Sequence, residues 1–553
     1  KRKKTKKNEK TVMKLFLSLS SALGVLGAFS ASDYPNKITI GSVDVHWKKI
    51  GTTEVQIALK AATTGWIGFG LGEKTSGSMP GADIMVGKVE NGVASVVDYY
   101  ATDKATPTKD TWQHWRLVNG EESGGNTIIE AKRGISTGDG QDRDFDFATG
   151  IHNWNAVIVA IGSSDTFSGH STSNRWSQRV PFGQTNGVFP DPLAAFKADT
   201  ATYKVYKLEH GAYTIPHATS TTYKETDKSL HSAAPFNSAK QYIVGFEAIV
   251  SSNSKAYNHH MTVQPLTCTG SADSTCSAVG AGKSIYAWVP GQINLAMPSG
   301  TGFEIGTGAA WNGLKIQTHF DNPSLTSGVS DTSYVNVYYT ATVPANKADM
   351  LIVGDGTVKQ MNTVLPVGVT QWTYTCPASF FTQDITIVNA GHHAHAKGTQ
   401  IVTYQSRGGK VIDQWETNYY DWRFEQTQWL SKTVKAGDEL KITCVFKVGS
   451  GSVKFGLGSE DEMCMDFIMY YPSVASFKTG CGITSTDTTS TKGTAVSKTL
   501  TSVTSFNQLQ LSDFGKASGA NTAINAFSAA SVTTFSVWTT ISSAVFLAYH
   551  AMA

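Results

Sequence analysis

Between about Asp33 and Gln184, apolar residues alternate with polar ones in short runs: Ile38 and Ile40, then Val43, Val45 and Trp47, then Val55, Ile57 and Leu59, with Gly or polar turns between the runs. A period of two turns one face of a strand toward a core and the other toward water, so this stretch predicts a succession of half-buried strands. The run GWIGFGLG at 65–72 has the glycine density of a phosphate loop, yet no helix carrying a lysine follows it, as phosphate binding requires. We read it as a tightly packed strand. A polar stretch at 185–212, with Pro190 and Pro192, reads as a linker, and strands resume near Tyr213. The pattern weakens again after residue 482.

Composition agrees with an all-β chain. Hydrophobic residues make up 40% and charged residues 16% of the 553, with 52 glycines, unlike a helical bundle rich in Glu and Lys. At roughly 150 residues per domain the length predicts three to four domains. The formal charge of +3 is misleading, because eight basic residues and one acidic residue stand in the first 30, leaving 38 basic against 42 acidic in the rest. A nucleic-acid-binding face is therefore excluded as an expectation, the positive excess lying in the leader.

That leader, residues 1–30, reads as a signal peptide. From Met13 it runs MKLFLSLSSALGVLGAFSAS, with a short apolar segment and the small residues Ala28 and Ser30 at a cleavage site. The basic stretch before Met13 is either translated upstream of the true start or an extended basic region. At the other end, 483–553 holds a Ser/Thr-rich stalk and a moderately apolar tail. Small residues at Ser518–Asn521 and the absence of charge after Lys516 fit a GPI-anchor signal, with a weak C-terminal transmembrane helix or an unanchored tail as alternatives. These features predict the secretory pathway, and an extracellular or cell-surface destination with membrane attachment through the tail. Export and an even number of cysteines, six in all, argue for three disulfides rather than a thiol-ligated zinc.

The candidate chemistry lies in the second half: YNHHMTVQPLTC at 257–268, KIQTHFDNP at 315–323, NAGHHAHAKG at 389–398 and EMCMDF at 462–467. His393 and His395 are two apart, so on a strand they project from one face and can hold one ion. Adjacent His259 and His260 point to opposite faces of a regular strand, so sharing a metal demands a bulge there. His319 supplies a third imidazole. Histidines alone do not choose among Cu, Zn, Fe and Ni, but a thioether such as Met463 favours Cu(I), and a His, His, Met set points to redox-active copper.

The order of these blocks, HHM, THFDNP, HAHAKG, then EMC followed by YYP at 470–472, resembles the copper type II, ascorbate-dependent monooxygenases, the family of dopamine β-hydroxylase and the DBH-like monooxygenases. The segments GWIGFGLGEKTSGSMPGADIMVGKV at 65–89, VVDYYATD at 96–103 and VIVAIG at 157–162 resemble a DOMON domain, a β-sandwich. The resemblance implies a DOMON domain at 33–184 and two jelly-roll-like β-sandwich catalytic domains at 213–345 and 346–482. It implies two coppers per chain: His259, His260 and His319 for the copper that stores and passes an electron, and His393, His395 and Met463 for the copper that meets dioxygen. Ascorbate would be the reductant, and a C–H bond of a small substrate, phenylethylamine-like in some members, would be hydroxylated. The family pattern also implies the pairs Cys444–Cys464 and Cys376–Cys481, leaving Cys268 with Cys276. His392 falls where the family carries an apolar residue and reads as a spectator or a group supporting the ligands.

Some DOMON domains bind haem b through Met and His. Met79 stands in the loop where those members place the Met, with His170 or His152 as the second ligand, while ordinary packing and a loop histidine are the readings we favour. Rival functions are a non-catalytic cell-surface binding protein, a haem-linked electron-transfer protein, and a metal store.

Overall fold

The computed structural model describes residues 28–279, 283–356, 363–458, 460–477 and 480–482, and the backbone of a strand at 494–496. The expected signal peptide up to residue 27 and the expected anchor signal lie outside the described residues, and of the expected stalk only Thr494–Val496 is described, as a strand paired with Gly368–Cys376 rather than as free stalk. The chain is built of strands; among the described residues one five-residue α-helix, Ala194–Ala198, and a few 3-10 turns are the helical elements. No helix among them is long and apolar enough to cross a membrane.

Eleven strands between Asn36 and Val180 form two sheets. One orders Asn36–Ile40, Val43–Ile50, Glu54–Ala61, Asn126–Gly134 and Arg116–Ser123; the other centres on Asn155–Ile161, Ile67–Gly72 and Asp83–Glu90. The alternating residues Val43, Val45, Trp47, Val55, Ile57 and Leu59 all lie in the core between the sheets, with Phe69, Trp115, Phe145 and Phe182. Burying side chains of this size contributes on the order of 2–3 kcal/mol each. The strand Ile67–Gly72 is buried on both faces, and a Cβ on Gly70 would stand 2.8 Å from the Asp83 carbonyl, which explains the run of glycines. No Cys lies here, and the domain holds by packing and by a buried charge cluster: Arg133, fully buried against the rings of Trp115 and Phe145, meets Asp83 at 2.5 Å and Asp142 at 3.7 Å.

The next sheets begin earlier than the sequence pattern suggests. Tyr203–Glu209, within the expected linker, is a strand paired to Tyr334–Thr340 and so joins the first sheet of the middle domain. Its alternation is masked because Lys204, Val205 and Lys207 are exposed on an edge strand. Facing that sheet is a second one ordered Thr221–Ser229, Gly313–Asp321, Asn258–Cys268 and Cys276–Ala278. The last pair of sheets is ordered Gln428–Val434, Ile385–His393, Met465–Tyr471, Asp349–Gly354 and Gly480–Gly482, and Lys410–Thr417, Gly398–Arg407, Glu439–Val448, Gly368–Cys376 and Thr494–Val496. Met350, Val388 and Met469 of this last unit pack into the hydrophobic core of the preceding one. A shared apolar contact of this kind fixes two domains relative to each other more firmly than a polar interface does. Disulfides join Cys268 to Cys276, Cys376 to Cys481 and Cys444 to Cys464.

Candidate metal centres

His259 and His260 stand at the start of the strand Asn258–Cys268, and His319 on its neighbour Gly313–Asp321. The register places His260 opposite His319 and slips between Asn258 and His260. This is the irregularity that adjacent histidines require in order to share a face. Ligand atoms of the three rings come within 4.8 Å of one another. The Nδ1 atoms of His259 and His260 face each other at 3.1 Å, while His259 Nε2 and both ring nitrogens of His319 are buried without a hydrogen-bond partner. Orphaned buried polar atoms are costly, and a metal ion is the group that satisfies three converging imidazoles at once. Burial, followed by the neighbouring His259, pushes the His319 ring down to about 3. Burial likewise lowers His260 and His259. The rings are therefore neutral near pH 7, the form that donates a lone pair to a metal. Tyr223, the cross-strand partner of His319, stacks on it at 4.4 Å and fixes its plane.

His393 closes the strand Ile385–His393, and His395 follows in the loop, their ring centroids 5.1 Å apart. His393 pairs with Met465 across the ladder. His395 Nδ1 in turn meets the Asp461 carbonyl, two residues before Met463, so the segments bearing the three expected ligands run together. Each histidine has its Nδ1 engaged: His393 with Glu425 Oε1 at 2.7 Å, His395 with the Asp461 carbonyl at 3.1 Å. Both Nε2 atoms are thereby left as the lone-pair side, an arrangement in which the second partner sets the tautomer of a metal-binding ring. Burial pushes His395 down to about 4. For His393 burial acts downward too, but the Glu425 carboxylate outweighs it and the ring is raised.

Two carboxylates that sequence reading missed support these rings. Glu462, fully buried, accepts the backbone N–H groups of His395 at 2.8 Å and Lys397 at 2.5 Å, tying the His395 loop to the residue before Met463. Cys464, on the other side of Met463, is tied to Cys444. Glu425 also takes the hydroxyl of Tyr420, and its charge acts on all five histidines. Three residues before it, Trp422 stacks on His259 at 4.9 Å. The only sequence signal for this segment was the aromatic run YYDWRF, which has no periodicity to read.

His392 faces the other way, buried in the sheet interior between Thr417 at 2.9 Å and Thr403 at 3.1 Å. In the N-terminal domain Met79 and His170 line one cavity of about 750 Å³ with Trp66, Phe167 and Trp176, closed on one side by Arg423 and Phe424. His152 is not part of it and packs instead against Trp429 at 5.7 Å. A thioether and an imidazole on one chamber suit haem iron, but Met79 also packs against the small apolar cluster around Trp66.

Residues 40–161 match the DOMON domain, 206–327 the copper type II ascorbate-dependent monooxygenase N-terminal domain, and 346–491 its C-terminal domain. DBH-like monooxygenase protein 1 of Gallus gallus is 24% identical over 83% of this chain and 76% of that protein. Dopamine beta-hydroxylase of Homo sapiens is 24% identical over 78% of this chain and 71% of its own length. Among solved structures, the cytochrome b domain of pyranose dehydrogenase from Coprinopsis cinerea overlaps 26% of this chain and 80% of its own at a TM-score of 0.21 and 17% identity. With both monooxygenase domains following a DOMON domain along one continuous chain, the protein belongs to the copper type II, ascorbate-dependent monooxygenase family.

Proposed function

We propose that the chain is a two-copper monooxygenase that hydroxylates a C–H bond of a small, phenylethylamine-like substrate with dioxygen, reduced by ascorbate. The observation that carries this reading is the pairing of two differently built ligand groups: three neutral imidazoles with unpartnered nitrogens, and two imidazoles whose Nε2 atoms are left free beside a thioether segment. Copper held there would supply one-electron chemistry between Cu(II) and Cu(I), with the thioether favouring the reduced state. The protein residues have separable roles. His259, His260 and His319 hold one ion, and His393, His395 and Met463 hold the other. Glu425 and the Asp461 carbonyl orient the second pair of rings, Glu462 and the Cys444–Cys464 disulfide hold Met463 beside them, and Tyr223 and Trp422 cover the first group against water.

Copper stoichiometry measured together with ascorbate-dependent oxygen uptake over a panel of phenylethylamines and glycine-extended peptides tests the reading. Two coppers per chain and uptake matched by hydroxylated product are expected; metal without uptake on any panel member would instead favour a non-catalytic family member. The cavity holding Met79 and His170 favours a second reading, a haem in the N-terminal domain passing electrons onward. A Soret band in purified protein would support it, and a band-free spectrum would leave that domain in a supporting role. Secretion with attachment through the C-terminal tail completes the proposal, and phospholipase release of the cell-bound protein tests the GPI anchor.

A further inference from the structure

The seven residues Tyr419–Glu425 touch three parts of the molecule. At one end the segment is fastened to the N-terminal domain: Ser76 Oγ donates to the Tyr419 carbonyl at 2.6 Å, Ser78 Oγ to Asp421 Oδ2 at 2.9 Å, and Lys104 Nζ pairs with Asp421 at 2.7 Å. Asp421 is almost wholly buried and also holds Arg423 at 3.0 Å, so the anchor is a closed set of charge-assisted bonds. In the middle, Trp422 lies on the ring of His259 with an interplanar angle of 27°. At the far end, Glu425 Oε1 receives His393 Nδ1 and the Tyr420 hydroxyl, while its Oε2 takes no hydrogen bond from the described residues. The Tyr420 oxygen accepts the N–H of Ala394, the residue between the two ligand histidines, and its single proton lies between Glu425 and the Ala394 carbonyl.

We propose that Glu425 is the positioning carboxylate of His393, and that the Tyr419–Glu425 segment is a strap through which the N-terminal domain fixes both candidate copper sites. The inference rests on the reading of His393 as a copper ligand. A carboxylate on Nδ1 holds the ring in the tautomer that presents Nε2 and makes that nitrogen a stronger donor. The Trp422 ring meanwhile ties the same strap to the first site, on a different domain. The N-terminal domain needs no ligand of its own in this role, since it contributes the rigid surface on which Asp421 is seated.

The test compares full-length, copper-loaded protein with Glu425→Gln, Glu425→Ala and Lys104→Met, following copper affinity by chelator competition, the Cu(II) EPR spectrum, and kcat and KM separately. Glu425→Gln keeps an oxygen that accepts the Nδ1 proton, and is expected to bind two coppers with an EPR spectrum close to that of the parent. Glu425→Ala is expected to lower affinity at one of the two sites by about 10–100-fold and to change the EPR signal of that site alone. Lys104→Met, on the partly exposed side of the anchor, is expected to change the same signal in the same direction by a smaller amount and to lower kcat with little change in KM. Parent protein holding fewer than two coppers would sink the ligand assignment itself, and the proposal with it. Two coppers in the parent, together with unchanged affinity and EPR in both Glu425→Ala and Lys104→Met, would overturn the proposal while leaving that assignment standing. Should Glu425→Ala fail to fold, an EPR spectrum unaltered in Lys104→Met would be sufficient to reject the strap.

Discussion

At the scale of single residues, side-chain chemistry separates groups that fold the chain from groups that act. Met463→Ile keeps side-chain volume and loses the soft donor. It is expected to leave the thermal unfolding temperature near the parent's while lowering hydroxylation by at least about tenfold, a loss typical even of groups that only support a metal ligand; product formation per unit time checks it. His319→Ala removes one of three imidazoles whose nitrogens have no other partner, so copper bound per chain is expected to fall from two toward one. In the N-terminal domain, burial, then the neighbouring Asp83 and Asp142, raises Asp98 to about 8. An acid whose folded value lies above its unfolded value of 3.8 holds its proton in the folded chain between those limits, so its contribution to stability is lost as pH rises through that window. Asp98→Asn stays neutral throughout. It is expected to unfold at higher temperature than the parent at pH 8, with the difference shrinking toward pH 4, and calorimetry at the two pH values decides the matter.

At the scale of elements, one irregularity and one covalent tie shape the sites. The slip in pairing between Asn258 and His260 turns two neighbouring histidines to one side of a strand that would otherwise divide them. The disulfide between Cys444 and Cys464 closes a loop with a sequence separation of 20 and stands directly beside Met463. Replacing both cysteines by serine is expected to cost about 3 kcal/mol of stability. It is also expected to weaken copper binding at the His393, His395 and Met463 group more than at the three-histidine group, which copper titration can resolve. The histidine and methionine positions were legible because chemistry marks them in the sequence. The bulge was legible only as a requirement, since no residue type announces it. Tyr203–Glu209 was read as linker because an edge strand exposes the residues that would carry alternation.

At the scale of the whole molecule, the N-terminal sandwich and the two following sandwiches meet around the candidate metal sites. The latter two share a hydrophobic core through Met350, Val388 and Met469, and the N-terminal domain contacts the Tyr419–Glu425 segment at Asp421. Metal bound only by the folded chain raises stability by mass action, about 2.7 kcal/mol when free metal is a hundred times the dissociation constant. Chelation is therefore expected to lower the unfolding temperature, and added copper to restore it, in the parent but much less in a His319→Ala, Met463→Ile double variant.

The sequence by itself determined that the chain is built of strands, because period-two alternation has no other solution. It also marked which histidines, methionine and cysteines were worth watching, because few residue types can hold a metal or a covalent bridge. Only the tertiary structure decided that Glu425 faces His393, that Glu462 holds the backbone of His395, that Trp422 stacks on His259, and that His392 sits between Thr403 and Thr417. A carboxylate or an indole acquires its role from what it faces after folding, and segments far apart along the chain come face to face through sheet pairing and domain docking that no local pattern encodes.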